Sequence, residues 1–119
     1  MNEAEAEVKV LEQIKEVIGR HAPEATAILY GSRARGDARP DSDWDILLLL
    51  DKERITHEDR MRVADPLYDL GFDISELISV KVYTAADWKR LHFSIFHKYI
   101  DEDGITLQKG KELQYDTVE

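Results

Sequence analysis

The chain has 119 residues, no Cys, and 25 acidic against 16 Lys and Arg side chains, for a formal charge of −9. That length suits one domain, residues 1–119, able to bury about two thirds of its unfolded surface, and the missing Cys excludes disulfides and thiolate metal sites. The acidic balance excludes an extended nucleic-acid track. The start MNEAEAEVKV has no signal-peptide h-region and the longest apolar run, Ile46 to Leu50, is far too short to span a bilayer, so the expectation is a cytoplasmic protein without a membrane segment.

Val8, Leu11, Ile14, Val17 and Ile18 recur at helical spacing behind three glutamates that favour a helix N-terminus, predicting a helix over Glu3 to Arg20 closed by Pro23. ATAILYG predicts a strand, Ala25 to Tyr30, that delivers Gly31 and Ser32 at its tip. DARPDSD is turn chemistry, and WDILLLL, without a polar face after Asp45, reads as a central strand covered on both sides. Val63, Leu67 and Leu70 mark a helix from about His57 to Leu70, stopped by Gly71. ISELISVKVYT is the third strand. Thr84 and Asp87 then resemble a capping box opening a helix that carries Trp88, Leu91, Ile95 and Tyr99. ITL after Gly104 adds a short edge strand, and residues 109–119 read as a polar tail. This order predicts an α/β fold, a small mixed β-sheet with flanking helices, with its core over about residues 25–107.

The stretch GSRARGDARPDSDWD, residues 31–45, carries the chemistry. Gly31 and Gly36 have the glycine spacing of a P-loop, but Asp37 and Ala38 stand where Lys and a hydroxyl are required. Asp41, Asp43 and Asp45 match the first positions of a calcium loop, yet Ile46 replaces the glycine that makes its sharp turn. A third reading uses both halves. Asp43 and Asp45 at the start of a strand point to one side with α-carbons about 6.6 Å apart, a pair suited to hard cations such as Mg²⁺. Ser32 heads a turn whose N–H groups can cradle phosphate. A triphosphate between turn and metal suits phosphoryl or nucleotidyl transfer.

Gly31-Ser32, ten residues, then Asp43-x-Asp45 resembles the G-S-x10-D-x-D signature of the polymerase-β-like nucleotidyltransferases, and the phrasing GSRARGDARPDSDWDILL resembles the minimal nucleotidyltransferase (MNT) branch. The resemblance implies that Gly31, Ser32 and Arg33 bind the nucleotide and that Asp43 and Asp45 hold two Mg²⁺ ions. It further implies a third carboxylate on a later strand, for which Glu76, sharing a face with Ile78, Val80 and Val82, is the candidate, with Asp73 as the alternative. The implied activity is transfer of a nucleoside monophosphate, AMP from ATP, to a hydroxyl. The implied partner is a small helical HEPN protein, a toxin silenced by adenylylation of a tyrosine. An antitoxin module that binds its partner without catalysis, and a small-molecule nucleotidyltransferase of the antibiotic type, are the alternatives.

Three further features carry less. Arg33, Arg35 and Arg39 form a small basic patch, enough for one triphosphate or acidic partner. The four histidines show no metal-binding spacing. Phe93, Phe96 and Ile100 widen the apolar arc of the last helix beyond what one core face needs, which marks a candidate partner surface.

Overall fold

The computed structural model describes residues 2–110, so the predicted tail lies, from residue 111 on, outside the described residues. The elements are α1 (Glu3–His21), β1 (Thr26–Tyr30), α2 (Ser32–Arg35), β2 (Trp44–Leu50), α3 (His57–Ile74), β3 (Ile78–Thr84), α4 (Ala85–Arg90), α5 (Ile95–Asp103) and β4 (Ile105–Gln108). The four strands form one mixed sheet in the order β3-β2-β1-β4, with β1 antiparallel to β2 and β4 and β2 parallel to β3. This is the α/β architecture expected from the element order.

β2 explains how the sheet acquires two different faces. Its side chains alternate, so Trp44, Ile46, Leu48 and Leu50 turn to the layer formed by α1 and α3, where Ile14, Ile18, Val63 and Leu67 meet them. Leu47 and Leu49 turn the other way, onto Trp88 of α4 and Ile100 of α5. Each such Leu or Ile contributes about 1.5–3 kcal/mol when taken fully out of water, so the Leu-rich run fixes the register firmly. Asp45 has the parity of Leu47 and stands on the α4/α5 side.

Local chemistry sets the helix ends. Asn2 Oδ1 accepts from Glu5 N–H at 2.8 Å to start α1, and Thr56 with Asp59 forms a reciprocal capping box on α3. At α4, Thr84 Oγ1 accepts from Asp87 N–H at 2.9 Å.

Three boundaries differ from the sequence reading. α3 runs through Gly71 to Ile74 and ends at Ser75, whose φ of 58° is left-handed. Gly71 is small for another reason: a Cβ there would lie 2.6 Å from the carbonyl oxygen of Glu76, whose N–H donates back to Gly71 O at 2.9 Å. Consequently β3 starts at Ile78 rather than Ile74, and Glu76 lies in the turn before it. The final helix is also two helices. Ser94 Oγ accepts from His97 N–H at 3.0 Å and starts α5 afresh, because a serine at a helix start gains more from capping than from continuing the previous helix.

Candidate functional site

The site is built where β1 ends and β2 begins. Tyr30, the last residue of β1, pairs with Asp45 across the antiparallel ladder. Gly31 then takes φ 75° and ψ −158°, a region open essentially to glycine alone, and turns the chain into the short helix α2. A Cβ on Gly31 would overlap Asp45 Oδ2, so the carboxylate rests against bare backbone. Gly31 contributes no side-chain cap, which leaves the leading N–H groups of α2, together with Ser32, at the site with Asp45. Gly36 closes the turn in a left-handed conformation with φ 85°.

Asp43 is exposed and Asp45 half-buried. Burial holds the Asp45 carboxyl above its ordinary value, the charge of Asp43 adds to the shift, and Lys81 and Arg35 oppose it. Two like charges brought together by the fold, with cations nearby, form a donor set suited to a hard divalent ion, which takes carboxylate oxygens. Tyr30 beside them has a buried hydroxyl with no hydrogen-bond partner, and burial together with the Asp45 charge pushes its phenol up to about 12.

Two predicted site residues lie elsewhere. The Arg33 side chain is only 4 % exposed, and its guanidinium sits 4.6 Å from the centre of the Trp44 ring. It donates to the carbonyls of Pro40 at 3.2 Å and Ser42 at 3.0 Å, and lies 3.5 Å from Glu7 and 3.9 Å from Glu76. Arg33 is therefore committed to holding the loop that leads to Asp43, and its charge serves that loop. Glu76 accepts from Trp44 Nε1 at 3.0 Å on the same side. Trp44 and Asp45 have opposite parity on β2, so Glu76 is separated from the Asp pair by the sheet. The reason is the register of the parallel pair: Ile78 stands beside Trp44 and Ser79 beside Asp45, so the face that Glu76 shares with Ile78 and Val82 is the Trp44 face. Asp73 is exposed on α3. Among the described residues no group of three or more His, Asp or Glu is placed to hold a metal ion.

The sequence reading missed Lys81. β3 pairs in parallel with β2, Ser79 beside Asp45 and Lys81 beside Leu47, so Lys81 stands on the carboxylate side while Val82 packs behind the sheet. Its signal was available as a polar residue at the odd positions of SVKVY, opposite to Ile78 and Val82. Arg35, paired with Asp37 at 3.2 Å, is the arginine whose charge reaches Asp45.

The apolar arc of the last helices divides. Trp88 and Ile100 are core residues, and Phe96 packs edge-on against Tyr30 and Trp88 at 5.4 and 5.6 Å. His97 stacks on Trp88 at 4.4 Å. Phe93 alone of the three predicted surface residues is open, at 89 % exposure, beside exposed Ile95 and Tyr99.

The sequence profile of the family described as Polymerase beta, Nucleotidyltransferase matches residues 12–100. The chain belongs to this family. Solved structures agree with the fold. A toxin–antitoxin structure with AMP-PNP superposes with a TM-score of 0.56 at 16 % identity, over 86 % of this chain and 75 % of that one. An MntA–HpeT toxin–antitoxin variant reaches 0.58 at 16 % identity, over 85 % and 73 %. A protein of Sulfolobus solfataricus described as a nucleotidyltransferase gives 0.55 at 23 % identity, over 87 % and 83 %. No curated protein sequence matches the chain. Among the described residues no helix is long and apolar enough to cross a membrane.

Proposed function

We propose that this domain binds an Mg²⁺–nucleoside triphosphate, ATP by preference, and transfers the nucleoside monophosphate to a hydroxyl, the acceptor being a tyrosine of a small helical HEPN-type toxin. The observation that carries this reading is the contact between Gly31 and Asp45: a glycine that must be bare so that a metal-binding carboxylate can rest on the turn headed by Ser32. Ser32 and the N–H groups of that turn would hold phosphate oxygens, and Asp43 and Asp45 would hold the cation. Bound there, Mg²⁺ would neutralise charge on the triphosphate and orient it for in-line attack. The fold is shared with a toxin–antitoxin structure that contains AMP-PNP, which supports both nucleotide and toxin partner.

A second reading, an antitoxin module that binds its partner without turnover, is favoured by the lack of a third carboxylate beside the Asp pair among the described residues. Calorimetry and mass spectrometry separate the two. ATP should bind in the presence of Mg²⁺, with affinity lost in the Asp43→Asn, Asp45→Asn double variant; unchanged affinity in that variant removes the site. Co-expression with the neighbouring gene product should then place AMP on a partner tyrosine. A partner that is neutralised unmodified, equally well by wild type and Asp43→Asn, establishes the module without turnover.

A further inference from the structure

Resting on the nucleotide reading of the same site, we propose that Lys81 is a phosphate-binding residue of this domain, a cation built into β3 beside the Asp43–Asp45 pair, so that one divalent ion suffices to hold the triphosphate.

Asp45 has a neighbour strand on each side. Across the antiparallel ladder stands Tyr30, and along the parallel one stand Ser79 and, two residues further on the same side, Lys81. None of these is an acid, and no third carboxylate joins the pair among the described residues. Two carboxylates provide a ligand pair for one hard cation, which usually keeps several waters and takes its remaining oxygens from substrate phosphates. They also repel a triphosphate, and that repulsion must be offset from within the site. Lys81 is an exposed residue that pairs with Leu47 while its chain neighbours Val80 and Val82 pack on the other face. Its flexible four-carbon stem carries a point charge with three donors, the form in which lysine commonly meets phosphate. The ammonium already acts on Asp45 across the strands. Arg35, the other cation acting on that carboxylate, is engaged with Asp37. Lys81 is therefore the cation best placed to reach a phosphate over the Asp pair.

The test uses the full chain and ATP with Mg²⁺. Lys81→Ala should weaken ATP binding about tenfold or more, as expected for loss of one charge-assisted hydrogen bond to phosphate, while Lys81→Arg stays within about threefold of wild type. Lys15→Ala, on α1, removes the same charge far from the site and should change little. Spin-counting of Mn²⁺ bound with a non-hydrolysable ATP analogue should find one ion per wild-type chain and a second in Lys81→Asp. If Lys81→Ala unfolds at the wild-type temperature yet binds ATP as wild type does, or if wild type binds two ions, Lys81 is a solvated edge-strand lysine and the proposal falls. If wild type binds no ATP and Asp43→Asn changes nothing, the nucleotide reading falls with it. Lost affinity in Asp43→Asn with full affinity in Lys81→Ala sinks the lysine alone.

Discussion

Replacing Gly31 by Ala probes the contact on which the site rests. The new methyl meets two costs. It places an L side chain at φ 75°, ψ −158°, a region that costs about 1–3 kcal/mol for residues other than glycine. It also overlaps Asp45 Oδ2, with Asp45 Cγ only 3.3 Å away, so the carboxylate has to swing off the turn. Gly36→Ala is the matched control, since φ there is 85° but nothing lies within 4 Å of an added Cβ. Both variants should lose about 1–3 kcal/mol from the backbone conformation, or roughly 4–12 °C of Tm for a domain of this size. Only Gly31→Ala should lose Mg²⁺-dependent ATP binding, by tenfold or more, because only there does the methyl move a ligand. Differential scanning calorimetry and titration calorimetry on the two proteins measure both quantities. Equal ATP affinity in Gly31→Ala and Gly36→Ala would refute the argument that Gly31 is bare in order to seat Asp45.

Asp45→Asn should raise Tm at pH 7, because the folded chain holds this carboxyl above its ordinary value and so pays for its ionisation. The gain should fade as pH falls through the carboxylate range, where wild-type Asp45 is protonated too; a gain that persists at acid pH would show that charge is not its cause. Asp59 has the opposite sign. Lys52 Nζ donates to both its oxygens at 2.7 and 2.8 Å and Thr56 N–H at 2.9 Å, and these bonds pull it down to about 2. Asp59→Asn should therefore lower Tm above pH 4 and approach wild type between pH 4 and 2, measured by thermal melts across that range. Phe93→Asp should break a complex with the proposed toxin partner in a pull-down while leaving ATP binding and Tm within error of wild type, since Phe93 is open where Phe96 and Ile100 are packed.

The sheet, the helices and the motif were legible because each rests on a local rule. β2 is a run of apolar residues, α1 an amphipathic repeat, and the motif is set apart from a P-loop by Asp37 and Ala38 and from a calcium loop by Ile46. What the sequence hid was direction. Arg33 follows Ser32 by one residue, but one residue on a helical turn rotates the side chain by about 100°, enough to send it to Trp44 instead of the Asp45 side. Glu76 does share a side with Ile78 and Val82, but the register sets Ile78 beside Trp44 and Ser79 beside Asp45, so that side faces away from the Asp pair. Choosing the Ile78, Val80, Val82 side of β3 for the third acid drew attention away from Lys81. Parity is two-valued, so a one-residue difference in the register between β2 and β3 reverses which chemistry faces the site.

That parity also ties the stability of the domain to its site. Trp44 and Asp45 are adjacent on β2 and point to opposite faces, so the indole buried on one side fixes the carboxylate on the other. Arg33 extends the link to Asp43. Its guanidinium lies on the Trp44 ring and takes the carbonyls of Pro40 and Ser42, the latter belonging to the residue just before Asp43. The loop is thus held to β2 from behind the sheet, and Asp45 faces the front. Neither Arg33 nor Trp44 needs to touch a nucleotide for this to matter: the proposed metal pair would tolerate little displacement, and its placement is tied to a buried cation on the far side of the strand.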